Sequence, residues 1–319
     1  MSLAFADLFN LSSDQLYEDV LRGLVHPKQK FIPNHYFFDT QGTTYYDEMI
    51  DSAEHYPTHC EISILHNQSD EIKEALGSNV TLFELGCQDS IKTRLLLDSL
   101  EENTHYIAID SNQESLINHV DQLNCIYSSM TISAFEQNYF ETIYLPEKIC
   151  HKSNKVIFIA GSHICNLAPE KAVRFLRNLK KQFKNGTKIL IGHDLPKAPN
   201  ILEAAYNDKK GCAARFNLNL LSRINRELKS DFDLSSFQHR VIYNQQQKRV
   251  ETHLVSLAHQ SVNINGHKIY FTKGESILTQ NIYKYNHLQF TQLLSEAGWK
   301  SIEYWGDSKG WYNLQLAKC

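Results

Sequence analysis

The stretch richest in chemistry is FELGCQDS, from Phe83 to Ser90, which follows the apolar run VTLFEL and precedes IKTRLLLDSL. A glycine between a strand and a helix lets the backbone come close to a ligand, and an acid near the strand end can face the ligand's polar groups. Gly86 and Glu84 occupy those positions. A second run, HYIAID, ends in Asp110, 26 positions beyond Glu84, where a carboxylate can accept hydrogen bonds from ribose hydroxyls. The pairing suits a nucleoside-containing cofactor. A purely structural glycine, with a helix N-cap at Asp110 or Ser111, explains the same residues without one.

His55 and His59, followed by Cys60 and Glu61, form H-x-x-x-H-C-E, which suits a metal ion when the four-residue step lies on one helix. Pro57 disfavours a continuous helix there, and no remote motif supplies a third ligand, so no metal is expected. Cys60, Cys87, Cys125, Cys150, Cys165, Cys212 and Cys319 are scattered, odd in number and without C-x-x-C. They read as free thiols rather than as a disulfide framework or a zinc module.

The elements that must position these residues follow from hydrophobic patterning. Residues 12–77 read as mainly helical, interrupted around FIPNHYFFDTQGTTYY and again at Tyr56-Pro57-Thr58. VTLFEL (80–85), HYIAID (105–110), KVIFIA (155–160) and TKILIG (187–192) are short and apolar, as strands buried on both faces are. After Asn166, Pro169 and Glu170 suit a first helical turn, Ala172, Phe175, Leu176, Leu179 and Phe183 recur at helical spacing, and Gly186 marks the stop. Such alternation predicts a parallel, doubly wound sheet with ligands at the carboxyl ends of its strands. After residue 195 the pattern changes to a helical stretch, extended segments such as RVETHLVSLAHQ, and a hairpin at Asn265-Gly266. The tail, amphipathic near Leu288 to Ala297 and then SIEYW and YNLQLAKC, is expected to return and complete the sheet.

With 319 residues the chain is long enough for two globular units. Its 32 basic and 36 acidic residues give a formal charge of -4, which offers no footprint for nucleic acid or an anionic membrane. The N-terminus lacks a basic, apolar leader, and no run reaches the roughly 18 apolar residues of a membrane span. The expectation is a cytoplasmic protein with small-molecule partners; its oligomeric state is not encoded in any pattern.

Spacing does not separate a dinucleotide from S-adenosylmethionine, but longer stretches do. YFFDTQGTTYYDEM, EHYPTHCE, FELGCQDSIKTRLLLDSL, IAGSHICNL, GHDLPKAPNILEAAYNDKKGCAARFNLNLLSRINRELKSDFD and FTKGESILTQ with AGW resemble the histidine-specific N-α-methyltransferases of the ergothioneine-biosynthesis type, over nearly the whole chain. The resemblance implies an α/β fold: a Rossmann-like class I methyltransferase sheet with an N-terminal helical region and an inserted α+β substrate subdomain. The sheet domain is expected to comprise residues 1–60, 78–195 and 286–319, and the substrate subdomain residues 61–77 with 196–285.

The resemblance also implies S-adenosylmethionine as cofactor, with Gly86 and Lys92 at its methionine portion, Asp110 at its ribose and Phe135 near its adenine; Glu84 joins the cofactor-binding set as the strand-end acid. Ala134 stands where the family usually has an acid, and Gln88 replaces a usual glycine. At the substrate end it assigns the carboxylate to Asn166 and Tyr206, while backbone at Gly161 can meet the amine. Read without the resemblance, Asn166 is a helix cap and Tyr206 a packed aromatic. Tyr46 and Tyr56 fall in stretches that would enclose the substrate, or in ordinary core.

The side-chain pocket departs most. Histidine-selective members usually carry a Glu and, two residues on, a Ser; here Gln280 and Ile282 stand there, and Thr252 replaces a usual Met. Losing the acid and the hydroxyl weakens recognition of an imidazole. The expected reaction is methylation of the α-amine of an amino acid, either histidine or a different, aromatic one. No side chain identifies itself as a base, so positioning carries the catalysis. The competing readings are a non-catalytic S-adenosylmethionine and amino-acid binding protein, and a nicotinamide-dependent oxidoreductase.

Overall fold

The computed structural model describes residues 13–87, 90–150, 154–184 and 186–319. Its contacts divide the chain into two units, one of Pro57–Pro196 with Lys284–Cys319, the other of the residues up to Tyr56 with Lys197–Tyr283.

The first unit is built on a seven-stranded sheet. Its strands are Val80–Leu85 (β1), His105–Asp110 (β2), Thr131–Glu136 (β3), Asn154–Ile159 (β4), Lys188–Asp194 (β5), Lys300–Gly306 (β6) and Tyr312–Lys318 (β7), in the order β6-β7-β5-β4-β1-β2-β3. β1 to β5 pair in parallel, whereas β7 is antiparallel to both β5 and β6. Every residue of β1 is buried, which is why its sequence is an unbroken apolar run apart from Thr81 and Glu84. The chain steps outward from β1 through β2 to β3 and returns to β4 on the other side of β1. That reversal makes the carboxyl ends of β1 and β4 a switch point, where loops leave in opposite directions and open a crevice for ligands.

The helix Pro169–Phe183 between β4 and β5 buries Ala172, Phe175, Leu176, Leu179 and Phe183, the face its periodicity implies. It stops before Gly186 does its work: Lys184 itself takes a φ of 65°, and Gly186 follows with φ 89° and an N–H bonded to the Cys319 carbonyl. The tail completes the sheet as expected. The indole N–H of Trp299 bonds to the Leu176 carbonyl at 2.9 Å, tying the tail to that helix. A buried ion pair, Lys284 Nζ to Asp194 at 2.5 Å, joins the end of β5 to the point where the chain re-enters this unit.

In the second unit Lys30–Phe31, Ser276–Tyr283, Arg249–Ser256 and Phe237–Asn244 form a four-stranded sheet in that order. The hairpin of Gln260–Ile264 and His267–Phe271 turns at Asn265 and Gly266, with φ of 48° and 90°, the left-handed pair that an Asn-Gly turn supplies. Leu16, Val20, Leu24, Phe216, Leu220, Ile224, Leu254 and Ile277 belong to one core.

Those residues correct the expected domain boundaries. Residues 13–56 group with the inserted segment rather than the seven-stranded sheet, because the apolar face of the helix Ser13–Leu24 needs the Phe216 to Ile224 face to bury it, and Lys30–Phe31 pairs with Ser276–Tyr283. Residues 61–77 group with the seven-stranded sheet instead: Lys188, on β5, donates to the carbonyls of Ala75 and Leu76. Tyr56-Pro57-Thr58 is not a loop either. Pro57 sits in the first turn of the helix Tyr56–Asn67, where its missing N–H costs nothing, so His59 is helical and His55 precedes the helix. Among the described residues, no helix is long and apolar enough to cross a membrane.

Candidate active site

At the carboxyl end of β1, Gly86 adopts φ 85°, a left-handed conformation that disfavours a side chain, and its N–H bonds to the Ile109 carbonyl at 3.0 Å. The next N–H, from Cys87, bonds to Asp110 Oδ2 at 2.9 Å, while Asp110 Oδ1 accepts from Asn112 N–H at 2.8 Å. Asp110 thus holds the first loop and its own turn together. Burial raises its pKa, with these N–H bonds acting in the opposite sense. It is not the helix cap: Asn112 caps Gln113–Ile126, accepting from Ser115 N–H.

Glu84 lies beneath the loop. Thr93 donates to its carboxylate, the nearer contact at 2.8 Å, and Tyr106 donates to Oε2 at 2.7 Å; the Tyr106 hydroxyl is also 2.8 Å from His119 Nε2. Glu84, Cys87 and His119 are near enough together for a metal ion, but the Tyr106 hydroxyl bonds within the group and satisfies it. Burial, with Glu84 and Asp110 nearby, pushes the Cys87 thiol's pKa well up, so it stays a neutral thiol. Tyr106, Thr93 and His119 were not singled out from the sequence, since nothing in a run such as HYIAID marks an inward tyrosine as a polar support.

Lys92, in the helix Ser90–Ser99, is buried with its Nζ 3.1 Å from Glu61 Oε2, and the same oxygen accepts the N–H of Gly161 at 2.8 Å. Glu61, fully buried, therefore couples the loop after β4 to the helix after β1. Its sequence signal was the H-x-x-x-H-C-E cluster, of which Glu61 is the member that makes this coupling. Gly192 on β5 makes room: a Cβ there would lie 2.4 Å from Glu61 Oε1 and 2.1 Å from the Tyr312 hydroxyl.

After β4, Gly161 and Ser162 take φ of 69° and 58° in succession. The turn His163–Asn166 follows, and Ala168 rather than Asn166 caps Pro169–Phe183. The His163 pKa is lowered to about 4 by burial and by Lys92. Phe135 is half-buried on β3 opposite Ile109, Ala134 is exposed, and Glu136 pairs in register with Asp110. Gln88 lies outside the described residues.

In the second unit, Thr252 pairs directly with Gln280, and Ile282, two residues on, pairs with Val250. Residues two apart on a strand share a face, so Thr252, Gln280 and Ile282 gather on one side of the sheet. A bulge at Thr279 separates Leu278 from Gln280, and its hydroxyl lies 2.8 Å from that of Thr252. Ile282 is buried and Gln280 half-buried. Tyr206 is edge-on to His55, with centroids 5.8 Å apart, and its carbonyl is 2.9 Å from His239 Nε2. Lys197 donates to the Tyr56 hydroxyl at 2.8 Å. Tyr46 packs against Phe38 and Phe216 at 5.3 and 5.6 Å, which commits its ring to core contacts.

The first unit fits a nucleoside cofactor with an amino-acid tail. Gly86 supplies the left-handed turn at the end of β1, Asp110 retains acceptor lone pairs beside its two N–H bonds, and Lys92 brings a held cation. The family described as histidine-specific, S-adenosylmethionine-dependent methyltransferases matches residues 16–319. The chain is 33% identical over 324 residues to a histidine N-alpha-methyltransferase of Mycolicibacterium smegmatis, with 99% of each chain covered. It is 33% identical over 307 residues to a histidine N-alpha-methyltransferase of Mycobacterium tuberculosis, covering 95% of this chain and 94% of the relative. It is also similar to an L-tryptophan methyltransferase of Psilocybe serbica, 25% identical over 334 residues, with 95% and 92% covered.

Proposed function

The chain belongs to the family of histidine-specific, S-adenosylmethionine-dependent methyltransferases, and from that premise we propose that it methylates the α-amine of an amino acid whose side chain is not confined to imidazole. The observation that carries the reading is the loop at Gly86, locked by the Cys87 N–H to the Asp110 carboxylate at the ends of two adjacent parallel strands. A fixed backbone with a buried acid beside it is what a nucleoside cofactor requires.

The bound cofactor supplies a methyl group already activated by a sulfonium, so the protein's task is alignment. Gly86 and the Glu84, Thr93 and Tyr106 network beneath it hold the loop that receives the methionine portion. Asp110 would hold the ribose and Phe135 the adenine, and Glu136, in register with Asp110, would be available as a further acceptor. Lys92, anchored by Glu61, would stand beside the cofactor's methionine portion, and the buried pair holds the helix after β1 against the loop after β4. Within the first unit, Asn166 is proposed for the substrate carboxylate and Gly161 for the amine. Thr252, Gln280 and Ile282 share an uncharged face of the second unit's sheet, two polar side chains beside one apolar one, and such a face suits an aromatic ring as well as an imidazole. Similarity to both histidine and tryptophan methyltransferases supports that breadth.

A methyl-transfer screen of the twenty amino acids, read by product mass under saturating cofactor, tests the reading. Methylation of one or more amino acids, aromatic ones included, is expected. Amino-acid binding without any methylated product would replace it with a binding protein of the same fold.

A further inference from the structure

The left-handed backbone at Gly161 and Ser162 swings the His163 imidazole between two glycines. Its Nε2 is 3.3 Å from where a Cβ on Gly161 would sit, and its Nδ1 is 2.8 Å from where a Cβ on Gly86 would sit. In the proposed function Gly86 borders the cofactor's methionine portion and Gly161 the substrate's amine, so the ring spans the two partners of the transfer. Nδ1 is buried and has no hydrogen-bond partner. A neutral imidazole carries one donor and one acceptor; with the hydrogen on Nδ1, Nε2 accepts on the Gly161 side.

We propose that His163 accepts a hydrogen bond from the methyl-accepting amine and thereby aims that nitrogen's lone pair at the methyl carbon. The proposal rests on the reading of the chain as an amino-acid N-methyltransferase.

The groups that face the ring agree with an acceptor. Lys92, from the helix after β1, lies 3.7 Å from the same Gly161 Cβ position and is paired with Glu61 from the helix Tyr56–Asn67. The Tyr139 hydroxyl, from the connection after β3, lies 2.9 Å from the Gly86 Cβ position. With a pKa lowered to about 4, the imidazole is neutral wherever an amine is nucleophilic. Its low basicity suits an acceptor rather than a base that keeps the proton. In the step itself the nitrogen lone pair forms the N–C bond, the C–S bond breaks with its electrons going to sulfur, and the N–H held by Nε2 stays on nitrogen. The alkylated ammonium then loses a proton to water.

Chemistry supplies a discriminating test, because a neutral dimethylated nitrogen has no N–H to donate. His163→Ala should lower kcat on the unmethylated amino acid by about tenfold or more, yet leave kcat on its N,N-dimethyl form within about threefold. His163→Gln, whose amide oxygen accepts, should recover at least about a third of the parent rate. Calorimetry with S-adenosylhomocysteine should return the parent affinity, within about threefold, for both variants. Equal slowing of both substrates, no recovery by glutamine, or an affinity loss beyond about tenfold would overturn the proposal, the last by making His163 a cofactor contact. Where the dimethyl form is not turned over, recovery by glutamine decides. If the parent methylates no amino acid, the underlying reading has failed; if it does and the variants match it, only the role of His163 falls.

Discussion

The carboxylate of Glu61 stands 3.1 Å from Nζ of Lys92 and accepts the Gly161 N–H at 2.8 Å, so one buried acid ties the helix after β1 to the loop after β4. Glu61→Gln keeps an acceptor for Gly161 but leaves the Lys92 ammonium buried without its countercharge. Breaking a buried pair from one side costs about 3–5 kcal/mol, and here the lower end is expected because an amide oxygen still accepts from Lys92. Removing both charges, with Glu61→Gln and Lys92→Met together, should cost less than the sum of the single changes by about 1 kcal/mol or more. Urea unfolding of the four proteins measures this, and strict additivity would mean the pair does not couple the two elements.

Gly192 is the glycine whose hydrogen matters most for this pair, since a Cβ would meet the Tyr312 hydroxyl at 2.1 Å and Glu61 Oε1 at 2.4 Å. Its backbone is ordinary β-strand, so the requirement is for space. Gly192→Ala should destabilise by about 1–3 kcal/mol through overpacking. Adding Tyr312→Phe removes the nearer clashing atom and should restore about half of the loss. Thermal melts of the single and double variants decide it; no restoration would place the clash elsewhere.

How far this region could be foreseen differs from residue to residue. Gly86 and Asp110 were visible because turn chemistry and strand ends leave local marks, and the buried strands betrayed themselves by length and apolarity. Glu61 was visible only as part of a metal-like cluster. Its true partners are 31 and 100 positions away in the chain, at Lys92 and Gly161, and no local pattern encodes such pairings. The same blindness to tertiary pairing misassigned residues 13–56. A helix face seeking a core does not say which core, and Lys30–Phe31 is too short a strand to announce its pairing with Ser276–Tyr283. Pro57 misled for a different reason: proline breaks a helix interior but suits a first turn, and the choice depends on where the helix begins.

Acid should destabilise the sheet unit through two histidines. Burial and neighbouring positive charge lower His163 to about 4, and burial lowers His193, stacked on Phe290, to about 3. Unfolded histidine titrates near 6.5, so between that value and the folded values the unfolded chain binds more protons and stability rises with pH. The contribution is complete above about pH 6.5 and is lost as pH falls toward the folded values, at up to about 1.4 kcal/mol per pH unit for each histidine. Unfolding free energies at pH 7 and pH 5 should differ by about 4 kcal/mol from these two groups. His193→Gln should shrink that difference by about half. An unchanged pH dependence in that variant would show that His193 is not the group being charged.

Substrate choice should respond to the face shared by Thr252, Gln280 and Ile282. Gln280 sits across from Thr252, and Ile282 is two residues along the same strand, so Gln280→Glu with Ile282→Ser places an acid and a hydroxyl side by side on that face. A carboxylate can take a charge-assisted hydrogen bond from an imidazole N–H, and a hydroxyl can satisfy the second nitrogen. An aromatic hydrocarbon ring can use neither and would have to desolvate the new charge. The double variant should therefore raise the ratio of kcat/KM for histidine over phenylalanine by about tenfold to a hundredfold, even if its stability falls by about 2 kcal/mol from loss of the buried isoleucine. Competition between the two amino acids in one reaction reads the ratio directly and cancels any loss of folded enzyme. A ratio unchanged from the parent would remove these positions from substrate recognition and leave their shared face as core.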